Sequence, residues 1–182
     1  VNPDAADTLW PLRELDQKQV WDILEEADGT IYAATATGLI HLDRRHAAQS
    51  IGADHPVLAR QNRCLLKVGE YLYVGTVGGG VRVGPDKSVQ AVNVVDGVDL
   101  GYVYTLSCDT SGRVWAGTLG KGVWVLEEGA FRRFIGEGLT ESGNTYSIEV
   151  REDGALAIVQ DDRICLVSLD GASRILARRD EA

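Results

Sequence analysis

The sequence predicts an all-β fold of four similar antiparallel sheets, and three observations support this prediction. Four segments, which begin at Val20, Cys64, Val103 and Tyr146, align at a period of about 42 residues. Each segment alternates apolar and polar residues around a glycine-containing turn, as in "VYTLSCDTSGRVWAGT". Apart from the apolar stretch "AADTLWPLREL" near the start, no window has the periodicity of an amphipathic helix. Four-stranded units of this length are typical of the blades of a β-propeller.

Several positions recur at the same period and fix the order of the elements. The turn glycines are 40, 43 and 42 residues apart, and the residues that end the second strands are 41, 42 and 42 apart. These residues are Gly29, Gly69, Gly112 and Gly154, and Thr35, Thr76, Thr118 and Gln160. The repeats predict blades over residues 19–61, 62–101, 102–143 and 144–182. Residues 1–18 form a lead that is a candidate for the outer strand of a preceding blade.

The third unit, which has the clearest pattern, indicates how each blade is assembled. The inner strand "VYTLS" leads through the turn "DTSG" to "RVWAGT", and glycine supplies the positive φ that such turns require. A glycine-bearing loop precedes the third strand, "GVWVL", and the turn "EEGA" leads to the outer strand, "FRRFI". Tryptophans on these strands are expected to fill the wedge between neighbouring blades. Burial of Trp115 there contributes about 2 to 3 kcal/mol.

Composition and charge exclude several classes of partner. The chain has 18 basic and 27 acidic residues, a net charge of −9, which argues against binding to nucleic acid or to anionic membranes. Its longest apolar runs, about five or six residues, are too short to span a bilayer. Three cysteines, Cys64, Cys108 and Cys165, form an odd set without a C-x-x-C motif and are expected to be free thiols in strands.

No pattern in the sequence indicates catalysis, so we expect a protein that is not an enzyme and has no cofactor or metal. Lys121 lies in "GTLGKG", where glycine stands in place of the serine or threonine of a phosphate-binding loop. The spacing of His41, His46 and His55 matches no standard metal site. No G-x-S-x-G motif is present to indicate a serine nucleophile.

The third unit resembles the two-component regulator propeller repeat. The residues that carry this resemblance are "VYTLSCDTSGRVWAGTLGKGVWVL" and the link "FIGEGLTESGNTYSI", with Gly138, Leu139 and Asn144. The likeness extends over about residues 19 to 170 and is degraded in the fourth unit, where Gln160 replaces threonine. It implies a sensor segment of a bacterial receptor, periplasmic or extracellular, that feeds a histidine kinase or a diguanylate cyclase and binds a small molecule such as a carbohydrate.

Two alternatives to a sensor remain open. One is a propeller scaffold for protein partners. The other is a fragment of a quinone-dependent dehydrogenase, because "DGTIYAATATGLIHLD" in the first unit is similar to the repeat of those propellers. The third unit fits that repeat poorly.

A ligand is predicted to bind at the face that carries the loops between second and third strands and the loops that enter the next blade. Polar and aromatic residues suited to sugars or anions occur in these loops. They are Asp99, Tyr102, Lys121, Asn144 and Arg163.

Four blades raise the question of how the ring closes. A bare blade face of about 600 Å² would forfeit about 15 kcal/mol of gross apolar burial. The four blades therefore close on themselves, pair with a second chain, or belong to a larger propeller, and the last two are favoured.

Overall fold

The computed structural model describes residues 15, 18–45, 47–94, 99–168 and 170–179, and the strands within them form four sheets. The prediction of an all-β propeller fold with four four-stranded antiparallel blades is confirmed. The predicted lead, residues 1–18, lies outside the described residues except for Leu15 and Lys18. Among the residues described, no helix is long and apolar enough to cross a membrane.

The strands of each blade follow one another in chain order, from the inner strand outwards. Blade 1 contains β1 (Val20–Glu25), β2 (Ile31–Thr35), β3 (Gly38–Leu42) and β4 (Ala48–Ile51). Blade 2 contains β5 (Asn62–Val68), β6 (Tyr71–Thr76), β7 (Gly79–Val83) and β8 (Val89–Ala91), and the short strand β9 (Asn93–Val94) follows. Blade 3 contains β10 (Tyr102–Cys108), β11 (Val114–Leu119), β12 (Val123–Glu127) and β13 (Ala130–Phe134). Blade 4 contains β14 (Thr145–Val150), β15 (Leu156–Gln160), β16 (Arg163–Val167) and β17 (Ser173–Arg178).

Strand β9 departs from the simple repeat. It lies within the segment predicted as blade 2, residues 62–101, but it pairs in parallel with β13 of blade 3. Ala130 is opposite Asn93, and Phe131 is opposite Val94, so the third sheet has five strands. The outer strand of a blade leaves a row of backbone hydrogen-bonding groups unpaired, and the connection between blades 2 and 3 satisfies some of them.

Clusters of buried apolar side chains lie between consecutive blades. Leu39 and Val74 belong to the cluster between blades 1 and 2, and Trp124 to the cluster between blades 2 and 3. Trp115 and Ile158 belong to the cluster between blades 3 and 4. The two tryptophans occupy opposite faces of blade 3, because Ala116, the neighbour of Trp115, is the residue that pairs with Trp124. Both are only 2% exposed, as expected for side chains that fill the wedges between blades.

The described blades form an open arc. The inner strands β1, β5, β10 and β14 lie side by side in that order, and among the described residues no core cluster joins blade 1 to blade 4. Large apolar side chains are exposed at both ends, with Ile23 of blade 1 at 68% and Leu176 of blade 4 at 49%.

The turn between the second and third strands is built by the repeated threonine. Thr118 Oγ1 donates a hydrogen bond of 2.8 Å to the carbonyl oxygen of Gly122, and the equivalent threonines of blades 1 and 2 make the same bond. Gly122 has φ +71°, and a Cβ atom there would lie 2.8 Å from the carbonyl oxygen of Thr140, so no other residue fits without strain. In blade 4, Gln160 takes the position of the threonine. Its side chain reaches Thr140 and Thr145 instead.

Candidate functional site

The turns between second and third strands lie beside the residues that enter the inner strands. The backbone N–H of Ala36 donates to the carbonyl oxygen of Gln19 at 2.9 Å, and Asp161 N–H donates to the carbonyl oxygen of Asn144 at the same distance. Neighbouring blades are linked on this side too, because Gly122 N–H donates to the carbonyl oxygen of Gly143 at 3.0 Å. The loops that the sequence assigned to one face therefore do share one side of the arc.

Three of the five predicted ligand-binding residues lie close together, where blade 2 leads into blade 3. Lys121 Nζ donates to the carbonyl oxygen of Asp99 at 2.5 Å and is 3.8 Å from that residue's Oδ2 atom. Tyr102 begins the adjacent inner strand, and its hydroxyl accepts a 2.9 Å hydrogen bond from Nε2 of Gln61. Burial raises the pKa of Tyr102 above its ordinary value, so this hydroxyl stays protonated at neutral pH.

The other two predicted residues lie on blade 4. The backbone N–H and Nδ2 of Asn144 both donate to Oδ1 of Asp161 at 3.0 Å. Arg163 donates through Nε to Oδ1 of Asp162 at 2.9 Å and through a terminal nitrogen to the carbonyl oxygen of Gly138 at 3.3 Å. Among the described residues, no hydrogen bond joins either side chain to the Lys121–Asp99 pair. A site that uses all five residues remains a prediction.

A feature that sequence reasoning missed lies on the inner strands themselves. The pairing of each inner strand with its neighbour shifts by one residue near the start of the strand, which marks a β-bulge at the same place in every blade. The bulged residues are Trp21, Arg63, Tyr104 and Tyr146. We call these four residues the bulge ladder.

The members of the bulge ladder contact one another from blade to blade. The Arg63 guanidinium carbon lies 5.1 Å from the centre of the Trp21 ring and 4.2 Å from that of Tyr104. The Tyr104 and Tyr146 rings meet edge to face, with centroids 5.8 Å apart. Tyr102 lies next to the ladder, 6.0 Å from Tyr104 between centroids, and it follows Asp99, the partner of Lys121, by three residues in the chain.

The sequence does contain a signal for this ladder. The four residues are spaced 42, 41 and 42 apart, which is the period of the repeat. The signal is weak because the side chains at this position differ in type: an indole, a guanidinium and two phenols. An alignment that matches residue types therefore does not detect it. The pairing register shows directly that the four positions are equivalent.

The thiol of Cys64 lies next to the ladder. Burial, with a smaller contribution from Asp22, raises the pKa of Cys64 to about 12, so the thiol beside Arg63 stays protonated at neutral pH. All three cysteines are free in the structure. Within the described parts of the chain, no group of three histidine, cysteine or acidic side chains is placed to hold a metal ion. His46, one of the histidines considered above, lies outside them.

One buried carboxylate is a structural element of the blade 3 turn. Asp109 accepts hydrogen bonds from Ser111, Arg113 and the indole nitrogen of Trp115, the last at 2.9 Å. Burial alone would raise the pKa of this carboxyl, but these hydrogen bonds outweigh it and hold the pKa well below its usual range. Asp109 therefore stays ionised and orients Trp115.

The fold is shared with propellers of known structure. The chain superposes on virginiamycin B lyase from Staphylococcus aureus with a TM-score of 0.70 and 12% identity, over 86% of this chain and 54% of the lyase. It superposes on the extracellular domain assigned to a hybrid two-component system of B. thetaiotaomicron with a TM-score of 0.70 and 23% identity, over 90% of this chain and 22% of that domain. A second such extracellular domain from the same organism gives a TM-score of 0.73 at 17% identity, over 91% and 22%.

These comparisons establish the propeller fold. The chain spans about half of the lyase and about a fifth of each extracellular domain. The presence of two-component proteins among the structural neighbours supports the resemblance to the regulator propeller repeat. No protein-family model matches the sequence, and no curated protein is similar to it.

Proposed function

We propose that this chain is a non-catalytic, ligand-sensing propeller segment of a bacterial signal-transduction receptor, located outside the cytoplasm. The observation that carries the proposal is the propeller fold shared with extracellular domains of two-component systems over about nine-tenths of this chain. The receptor type is two-component or diguanylate-cyclase, as the repeat resemblance implies. The ligand is a small molecule such as a carbohydrate, bound on the loop side of the arc.

The proximity of Lys121, Asp99 and Tyr102 supports binding on that side. A lysine ammonium, a carboxylate and a phenol offer donors and acceptors to hydroxyl groups, and an aromatic ring offers a surface for a sugar ring. The Lys121–Asp99 pair is exposed, so a ligand can exchange its bonds at small cost, because exposed ion pairs contribute about 0 to 1 kcal/mol.

Thermal unfolding of the chain with defined probes tests this proposal. Neutral trisaccharides such as maltotriose and cellotriose, and dicarboxylic acids such as succinate, are the probes. A ligand present at 100 times its Kd stabilises the folded state by about 2.7 kcal/mol, which raises the Tm by about 5 to 10 °C in a domain of this size. We expect Lys121→Ala to remove the shift, and Lys67→Ala, a lysine paired with Glu26 elsewhere on the arc, to retain it. No shift with any probe would contradict the proposal.

A scaffold role is the second candidate, and the exposed apolar residues at the two ends of the arc favour it. Ile23 and Leu176 would be covered if a second copy of this chain completed the arc. Light scattering distinguishes the two roles. A particle of twice the 19.7 kDa chain mass, together with no thermal shift, would favour the scaffold, whereas a monomer that is stabilised by a probe favours the sensor.

A further inference from the structure

We propose that the bulge ladder of Trp21, Arg63, Tyr104 and Tyr146 is the surface that selects the ligand, and that this ligand is a ring compound bearing a carboxylate. The inference rests on the proposed sensing function and deepens it. It places ligand contacts on the inner strands as well as on the loops. It also predicts that the ligand is negatively charged, which Lys121 and Asp99 alone do not determine.

The ladder is a surface and not part of the protein core. None of its aromatic residues belongs to the apolar clusters between blades. Trp21 is 40% exposed and Tyr146 is 45% exposed, whereas the tryptophans that pack between blades are almost fully buried. Arg63 and Tyr104, which lie between these two rings, are half-buried. Large aromatic side chains that stay accessible along one surface are typical of binding surfaces.

The bulges explain why these side chains are available. A bulged residue loses its regular place in the ladder of hydrogen bonds, and its side chain is re-aimed away from the alternation of the two sheet faces. Because all four blades have the bulge at the same place, the four side chains come into contact along consecutive inner strands. Bulges of this kind are over-represented next to functional sites.

Arg63 assigns the charge of the ligand. Its guanidinium is held between the Trp21 and Tyr104 rings, and among the described residues it forms no ion pair. A guanidinium that stacks on rings keeps its planar fork of N–H donors, which matches the geometry of a carboxylate. A carboxylate placed there would complete an interaction that the described residues leave open.

The aromatic rings of the ladder indicate that the ligand contains a ring. Tyr104 is already stacked against Arg63 and meets Tyr146 edge to face, so the 45% exposed Tyr146 ring, just beyond Tyr104, offers an accessible aromatic surface on which the ring of a ligand can pack. The net charge of −9 disfavours polyanions such as nucleic acid, so a small acid fits better than a charged polymer. Acidic sugars and aromatic acids share the required chemistry, a ring with one carboxylate.

Isothermal titration of the whole chain tests the proposal with three probes. Digalacturonate represents the acidic sugars, 4-hydroxybenzoate represents the aromatic acids, and the methyl ester of whichever acid binds is the third probe, its neutral counterpart of the same shape. We expect one of the two acids to bind and its ester to bind at least tenfold more weakly, because a hydrogen-bonded charge contact is lost. The identity of the acid that binds decides which source of ring the site takes. Since this comparison uses the unmodified protein, it does not depend on how a variant folds.

Variants locate the contact. Arg63→Gln should weaken binding of the acid at least tenfold, and Arg63→Lys should restore only part of it, because lysine keeps the charge but lacks the fork. The matched control is Arg82→Gln, since Arg82 also stacks on an exposed ring, 4.4 Å from Tyr71, but on the outer part of blade 2. We expect this control to leave binding unchanged.

Three outcomes would overturn the proposal, and they separate it from the sensing function. Equal binding of the acid and its ester would remove the role of the carboxylate. Binding of an acid that is unaffected by Arg63→Gln but abolished by Lys121→Ala would place the site on the loops and leave the sensing function intact. Failure of these acids and of the neutral trisaccharides to bind would contradict both proposals.

Discussion

The packing between blades 3 and 4 depends on Trp115, and Trp115→Ala should destabilise the protein strongly. The indole is 2% exposed and meets the Phe134 ring edge to face, with centroids 5.1 Å apart. Its nitrogen donates a 2.9 Å hydrogen bond to Asp109. The substitution removes the apolar burial, the aromatic pair and the hydrogen bond together.

The size of the effect follows from these contacts. Truncation of a buried tryptophan to alanine costs about 3 to 5 kcal/mol, a large part of the roughly 5 to 15 kcal/mol that stabilise a domain. Trp115→Phe keeps a ring against Phe134 but leaves Asp109 without the indole donor. It should therefore cost about 1 to 3 kcal/mol. The difference between the two variants measures the ring alone.

Urea unfolding followed by circular dichroism, together with amide hydrogen exchange, is the assay. Tyr71→Ala is the control, because Tyr71 is an exposed aromatic residue, and its loss should cost about 1 kcal/mol or less. In Trp115→Ala, exchange should accelerate more at Ile158, across the interface, than at Val74 in the cluster between blades 1 and 2. Equal destabilisation by Trp115→Ala and Tyr71→Ala would refute the reasoning that blades are held together by wedged side chains.

Three further predictions concern the turns. Because the pKa of Asp109 is depressed in the folded protein, its carboxylate stabilises the fold above the ordinary pKa of about 4, and this stabilisation is lost as the pH falls below that value. Urea titrations should therefore find Asp109→Asn less stable than the unmodified protein at pH 7, and the difference in the free energy of unfolding should be smaller below about pH 4. Gly129→Ala should cost about 1 to 2 kcal/mol from its φ of +82° alone, whereas Gly122→Ala should cost about 2 kcal/mol more because its Cβ meets the Thr140 carbonyl; thermal melts compare the two, and equal costs would exclude the clash. Gln160→Ala should cost about 1 to 3 kcal/mol in the same melts, since the fully buried Gln160 side chain accepts from the Thr140 N–H and donates to Oγ1 of the buried Thr145, and both bonds are lost; a neutral result would show that water replaces them.

The fold could be predicted from the sequence because each repeat contains residues that mark where its strands end and its turns begin. A glycine in the first turn and a threonine before the second turn recur at one period, and the structure explains both by local geometry. Strand β9 could not be predicted in the same way. It is two residues long, and its pairing with β13 depends on where the connection runs in space.

The candidate site was only partly accessible to sequence reasoning. Lys121 and Asp99 are found together because loops on one side of a propeller converge, and Tyr102 follows Asp99 in the same connection. Asn144 and Arg163 carry suitable groups but bond to Asp161, to Asp162 and to the carbonyl oxygen of Gly138, and no residue pattern reports such local partners. The bulge ladder escaped because a shift of one residue in register leaves no mark in composition.

The bulges affect which amino-acid substitutions this surface can accept during evolution. A side chain on a regular strand packs against the neighbouring blade on the face where it lies, so replacing it disturbs that packed interface. The side chain of a bulged residue belongs to neither interface, which is why an indole, a guanidinium and a phenol can occupy equivalent places in one chain. Substitutions at the bulged positions can therefore change what this surface binds, one blade at a time, without changing the packing between the blades.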